Sequence, residues 1–407
     1  MIYRKCPILL LLLCISVYVF GQTEHAIDIQ KRNAQMGFND TIDRLADDFV
    51  EAYVVVADPG GHLYSSLGHA SYHLKCPVFD LDYYFTMEGE DEKDAVWRFL
   101  KGDLKMGMLR IPAEEFLAPY ARENRGVTDW KLNLSPKQKQ YLWAVLDKKV
   151  KEWQDLPYDF YRRGCVIAMV DVMNEVVGGE NIHYKKQWPE KFRGTIREMG
   201  CEMLEGNAAW DLFFMFFLVG DDIDKMMPNE RKIVFPKDLV SVWKNAVIGG
   251  KKVLENNAKE VLPSIKRGKG TWCTPLLVSI GLCIAALLSL CTIYIKKTWT
   301  RYCGVIIDYT ILGIVAAVGV FMTYLLLLSN LPCTNWNWLY IAFNPLPAIC
   351  WQWRRYWALP YAVLMMMWIA AIICAPHLLA LSAHLALIGA FVIVLVKEYL
   401  KTKYINQ

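Results

Sequence analysis

Cys165 stands at the head of an apolar pattern, Val166, Ile167, Met169, Val170 and Met173, that repeats at helical spacing and stops at Gly178-Gly179. The helix begins at Asp159 or Gly164, so the thiol falls in or near its first turn. Unpaired backbone N–H groups there favour thiolate over thiol, and Arg162 and Arg163 push the same way. A cysteine nucleophile needs a nearby imidazole, and that imidazole needs an orienting acceptor. His69, which follows Gly68, is the candidate imidazole; Asp82 and Thr86 are the candidate acceptors, with strand register deciding between them. The bland alternative is a small apolar residue opening a core helix. His73 is in phase with His69 and reads as a second-shell partner or half of a metal pair, and His62 as a loop residue beside Gly60 and Gly61. No Cys or carboxylate spacing completes a zinc site, and Asp221, Asp222 and Asp224 lack the full calcium-loop pattern.

The elements that must position these residues are short. Residues 52–57 form a buried-strand run, ended by the Asp58-Pro59-Gly60-Gly61 turn. Residues 68–75 alternate as a strand, Pro77 breaks it, and residues 79–87 supply the next strand of an antiparallel pair. Period two then puts His69, Ser71 and His73 on one face. Residues 91–125 read as helix and loop, and 132–150 as a helix with Ser135-Pro136 as cap and first turn. Further helices are expected in 24–50, from Pro189 within 186–205, and after Phe235-Pro236. Residues 208–219 are too short to span a bilayer and read as a core helix or a segment lying on the membrane.

Composition sets this domain on a membrane. The 407 residues are 55% hydrophobic with a formal charge of +4, too apolar for a purely soluble chain and without the basic run a nucleic-acid partner requires. Residues 1–21 read as a secretory signal, with Arg4 and Lys5 before an apolar stretch. The exported part, 22–265, then carries only Cys76, Cys165 and Cys201, which is no disulfide framework. After a linker at 266–271, apolar runs at 272–295, 305–328, 333–352, 356–375 and 378–397 predict five spans within 272–407, the third weakened by Asn344-Pro345-Leu346-Pro347 and open to a re-entrant reading. Basic residues follow the first, third and fifth runs. Five spans therefore put every basic connection and the C-terminus in the cytoplasm and leave the preceding domain outside. Asp308, near the cytoplasmic end of the second run, is expected to snorkel to water.

Gly68-His69-Ala70 behind the Asp58-Pro59-Gly60 turn, Asp82-Tyr83-Tyr84-Phe85, Phe99-Leu100-Lys101-Gly102 and Tyr158-Asp159-Phe160 before Arg163-Gly164-Cys165 resemble, in that order, the lipoprotein N-acyltransferase family Lnb. Trp210, Gly220-Asp221 and Phe235-Pro236-Lys237-Asp238-Leu239 are similar to its later landmarks, and that family also carries five C-terminal spans. The resemblance implies an α+β, permuted papain-like exported domain of the NlpC and lecithin–retinol acyltransferase kind, followed by an all-α five-helix membrane domain. It implies Cys165 as nucleophile, His69 as base and Asp82 as orienting residue, with no metal or cofactor. It further implies a phospholipid acyl donor and a diacylated lipoprotein acceptor, joined at the α-amine of the lipidated N-terminal cysteine. The setting is the inner membrane, multi-pass, with the catalytic domain in the periplasm. One departure stands out: the family tends to place Asn before its cysteine and Asp before that, where this chain has Gly164 and Arg163. A cell-wall peptidase or amidase on the same fold, and a non-catalytic scaffold that binds lipoproteins, are the alternatives. Five spans favour a site fixed at a bilayer surface over either.

Overall fold

The computed structural model describes residues 45–61, 65–89, 94–159, 162–178, 181–184, 195–204, 209–224, 233–264, 272–295, 297–374 and 382–404. The signal at 1–21, most of the helices expected in 24–50, His62, the start near Pro189 and the linker at 266–271 lie outside them. Residues 45–49 make turns; residues 50–407 form a separate compact unit.

That unit begins with a strand pair. β1 (Glu51–Ala57) and β2 (His69–Cys76) run antiparallel, Val54 opposite Tyr72, and β3 (Leu81–Gly89) continues on the far side with Ser71 opposite Thr86. Seven antiparallel strands complete the sheet in the order β10-β5-β1-β2-β3-β4-β6, adding β4 (Lys105–Pro112), β5 (Val127–Leu132), β6 (Leu156–Pro157) and β10 (Leu254–Leu262). Helix α1 (Ala95–Lys101) precedes β4, and α2 (Ala113–Arg122) follows it. α2 covers one face, where Phe116 stacks on Tyr84 at 4.1 Å over Val55, Ala57 and Val127. α3 (Pro136–Glu152) and α4 (Cys165–Val177) cover the other; Trp143 meets Phe85 edge-on, and the Tyr72 hydroxyl donates to the Met169 carbonyl at 2.6 Å. β7 (Ile182–His183), β8 (Val247–Ile248) and β9 (Lys251–Lys252) make a small second sheet. α5 (Ile196–Leu204), α6 (Ala209–Leu218) and α7 (Pro236–Trp243) complete this part.

Three long strands were not foreseen. The 91–125 stretch, read as helix and loop, contains β4, and β5 carries a buried Asp129 at its centre. β10 is polar because it is an edge strand whose side chains stay largely in water. The helix expected from 132 starts at Pro136, since Leu132 ends β5 and Ser135 forms a capping box with Gln138.

In the C-terminal part α8 (Pro275–Cys291), α9 (Thr298–Leu327), α10 (Arg354–Ile373) and α11 (Ser382–Tyr404) correspond to four segments that are apolar and long enough to cross a membrane. The third run, already open to a re-entrant reading, forms no regular helix: 333–352 is a 3-10 turn (Trp338–Ile341), one helical turn (Leu346–Ile349) and another 3-10 turn (Trp351–Trp353). Pro345 and Pro347 remove two backbone donors, and Asn344 repairs the break. Its amide donates to the carbonyls of Tyr340 at 3.3 Å and Ile341 at 3.0 Å and to the Tyr361 hydroxyl at 2.8 Å, and its oxygen accepts from Leu346 N at 3.1 Å. The broken segment nevertheless travels along α9. Tyr340 meets Thr323 at 3.0 Å, the Asn344 backbone crosses at Gly319, and Trp351 reaches Tyr309. Among the described residues, the C-terminal part thus holds four regular helices and one broken segment that runs along α9.

The two parts dock through backbone. Ser329 donates to Leu100 O at 2.6 Å, Asn330 N to Lys101 O at 2.8 Å, and Gly220 N to Cys333 O at 2.6 Å. An added Cβ would lie 2.2 Å from Asn330 at Gly102, where φ is +79°, and 1.7 Å from the Asn335 carbonyl at Gly220. α6 packs on the bundle, with Phe213 stacked on His384 at 4.4 Å and Phe217 edge-on to Phe343, while Phe214 is exposed. Asp308 does not snorkel. It is buried against Lys397 Nζ at 2.5 Å and accepts from Ser289 at 2.6 Å.

Candidate active site

Gly164 is the N-cap of α4 and Cys165 its first residue, so the thiol sits in the first turn as its spacing predicts. The sulfur faces three backbone amides: those of Ala70, Val166 and Cys165 itself. Ala70 is the residue after His69 and lies just beyond the last β2–β3 pair, Ser71 with Thr86. The structure therefore brings the thiol to the strand end that carries His69. Burial pushes the Cys165 pKa up, more than the three amides pull it down, and the nearby charge of Glu88 adds to the rise. Cys165 therefore rests as a thiol, not the thiolate that helix position alone suggested.

His69 is the complement. Its Nε2 shares a hydrogen bond of 2.6 Å with Thr86 Oγ1, which leaves Nδ1 as the free edge of the ring. Burial, helped by the positive charge of Arg125, lowers its pKa to about 4, so the imidazole is neutral near pH 7. A neutral imidazole and a neutral thiol suit concerted proton transfer during attack rather than a preformed ion pair.

Of the two acceptors considered, register selects Thr86. Asp82 lies opposite Lys75, six positions along β2 from His69, and this corrects its reading as the orienting residue. Its oxygens bond His73 Nε2 and Lys75 Nζ, each at 2.6 Å. His73 Nδ1 meets Asp129 at 2.6 Å, and the ring stacks on Tyr84 at 4.0 Å. His73 is thus neither a partner of His69 nor half of a metal pair; among the described residues no His, Cys, Asp and Glu cluster fits a metal.

Sequence reasoning missed Arg125 and Tyr120. Arg125 precedes β5, and β5 pairs with the same β1 that pairs with β2; Ala57 lies opposite both Val127 and His69. Its guanidinium donates to Asp58 O at 2.8 Å and lies over the Tyr120 ring, 4.6 Å from the centroid. Tyr120 in turn lies near Glu88, Arg125 and Cys165. Only the sheet order joins these residues, and no spacing announces it.

The site lies one helix away from the bundle. Tyr158, a neighbour of Cys165, meets Phe99 of α1 at 5.8 Å, and Trp97 of α1 stacks on Tyr324 near the end of α9 at 5.5 Å. Val96 and Trp97 are exposed beside that contact.

A family model described as the Lnb N-terminal periplasmic domain matches residues 41–198, and one described as the Lnb transmembrane domain matches residues 267–406. No curated protein and no solved structure matches the chain.

Proposed function

The chain belongs to the Lnb family, and from that premise we propose that it is a lipoprotein N-acyltransferase working through a Cys165 thioester. The observation that carries this reading is a half-buried thiol at a helix start, set against the His69 strand end and one helix from a membrane bundle. A permuted papain-like domain would supply that arrangement, with the cysteine helix laid on a sheet and the histidine earlier in the chain. The signal and linker assigned to 1–21 and 266–271 belong to the same proposal, as do five passes and the cytoplasmic C-terminus they imply.

In the first half-reaction Cys165 Sγ attacks the ester carbonyl of a phospholipid while its proton passes to His69. The first-turn amides of α4 are the oxyanion donors. The ester C–O bond breaks, His69 returns the proton to the glycerol oxygen, and lysophospholipid leaves. In the second, the α-amine of a diacylated lipoprotein attacks the thioester, loses a proton through His69, and restores the thiol as the amide forms. Thr86 holds the ring throughout. Gly164 leaves the N-cap without a side chain, at the position where the family resemblance would place Asn, so no side chain caps the helix that carries Cys165.

Incubating the full chain with phospholipid alone tests this. The expected result is a mass gain of one acyl chain on Cys165, release of lysophospholipid, removal by hydroxylamine, and discharge onto a diacylated lipoprotein peptide. Transfer at the wild-type rate by Cys165→Ser would refute the covalent route, and cleavage of peptidoglycan peptides without acyl transfer would favour the amidase.

A further inference from the structure

Arg125 is an unusual cation. It is 8% exposed, its Nε is used by Asp58 O at 2.8 Å, and its Nη1 reaches Glu123 at 3.3 Å, a carboxylate that is itself 34% exposed. Its Nη2 is buried with no partner. A buried guanidinium nitrogen without an acceptor costs free energy, which a charge-assisted bond to an incoming oxygen recovers. The backbone at Gly60 closes over the guanidinium carbon, and the Tyr120 ring supports its face, so the group cannot swing out to water without disturbing the turn.

Its position says what the acceptor is. Val127 and His69 flank Ala57 on adjacent strands, so two strand spacings, about 10 Å, separate them, and Arg125, two residues before Val127, acts on His69 by its charge and lies on Tyr120, itself a neighbour of Cys165. An ester carbon at Cys165 and the phosphorus of the same glycerolipid are separated by five bonds for the sn-2 ester and six for the sn-1 ester, roughly 6–7 Å at covalent lengths. Resting on the acyl-transfer reading above, we propose that Arg125 Nη2 binds the phosphate of the phospholipid donor and so fixes which ester meets Cys165. The same contact offers coupling. The Arg125 charge helps keep His69 a weak base, and an anion on Arg125 would offset that charge as the donor arrives.

The test compares two donors bearing identical acyl chains, a phosphatidylethanolamine and a diacylglycerol, with the full chain in a phosphate-free maltoside detergent. Initial thioester formation on Cys165 is read by intact mass. Wild type should prefer the phosphatidyl donor by about tenfold to a hundredfold, the range of a hydrogen bond to a charged group. Arg125→Gln should bring that ratio near unity, and Arg125→Lys should keep a reduced preference, since an ammonium lacks the guanidinium fork. An unchanged ratio in Arg125→Gln, or no preference in wild type, overturns the proposal. Should Arg125→Gln fail to fold, wild-type inhibition decides: lysophosphatidylethanolamine should inhibit more strongly than monoacylglycerol, and equal inhibition overturns it. Inorganic phosphate inhibiting as strongly as the lysophospholipid would assign the site to free phosphate and overturn the lipid assignment. Failure of every ester to acylate Cys165 sinks the acyl-transfer reading itself; acylation without phosphate preference sinks only this inference.

Discussion

Strand β2 carries two histidines on one face, four residues apart, in opposite circumstances. His69 sits at the strand end, with a single neutral hydroxyl on one nitrogen and a thiol at the neighbouring amide. His73 is 2% exposed at the strand centre, with a carboxylate on each nitrogen and an aromatic ring on its face. The His69 surroundings leave one edge of the ring for a substrate's proton; those of His73 leave none. The lesson is that a histidine between two acids inside a sheet is a structural tie, while chemistry goes to the histidine with fewer partners at a strand terminus.

Substitutions separate the two roles. The largest effect belongs to Cys165→Ser, which should abolish the hydroxylamine-labile intermediate altogether, since the hydroxyl lacks a readily formed anion. His69→Ala should slow thioester formation by about 10² to 10⁴-fold, the usual share of acid–base catalysis, with thermal melting little changed. His73→Ala should do the reverse. It strips Asp129, 1% exposed, of its side-chain partner at the sheet centre and should cost about 3–5 kcal/mol in chemical denaturation, the range for breaking a buried pair. A His73 variant that folds normally but is inactive would erase the comparison. Thr86→Val should slow acylation by about threefold to tenfold, with Thr86→Ser largely restoring it, as one net hydrogen bond allows. Asp82→Asn should be the mildest, costing roughly 0–1 kcal/mol, because that carboxylate is 40% exposed and screened by water.

Proton linkage sharpens the same contrast. His69 has a folded pKa near 4, below its unfolded value of about 6.5, so the unfolded chain binds the proton more readily. Its stabilising contribution is complete above that unfolded value and fades as pH falls towards 4. Activity of the free enzyme should hold from neutrality down through pH 6 and fail near pH 4. Alkylation of Cys165 by iodoacetamide should be slow at pH 7 and accelerate only above the ordinary thiol range, because burial raises its pKa. Fast alkylation at pH 6 would mean a preformed ion pair.

Much of this was legible from residue order. The cysteine helix, its glycine stop, the first strand, the antiparallel β2–β3 pair and the shortlist of Asp82 and Thr86 all follow from local periodicity. Register could not be read, because it depends on the turn at residues 77–80, where Asp80 adopts a left-handed conformation. β5 and β10 escaped because one buries an aspartate and the other is polar along its length, so neither shows apolar alternation. The broken third run was marked by its prolines, yet hydropathy cannot tell a helix from a stretch whose carbonyls an asparagine side chain satisfies. Thiol protonation was misread for a related reason. The first-turn amides are local, but the burial that outweighs them is tertiary.

The buried contact between Asp308 and Lys397 bears on how the chain is made. Each charge sits on an apolar helix, where an unpaired ion is costly to bury. α9 is synthesised long before α11, so its aspartate must wait for a lysine that the ribosome has not yet delivered. Ser289, on the helix already made, donates to that carboxylate in the finished bundle and is placed to shelter it meanwhile. The carboxylate on α9 thus has its full set of partners only once the last helix is packed beside it.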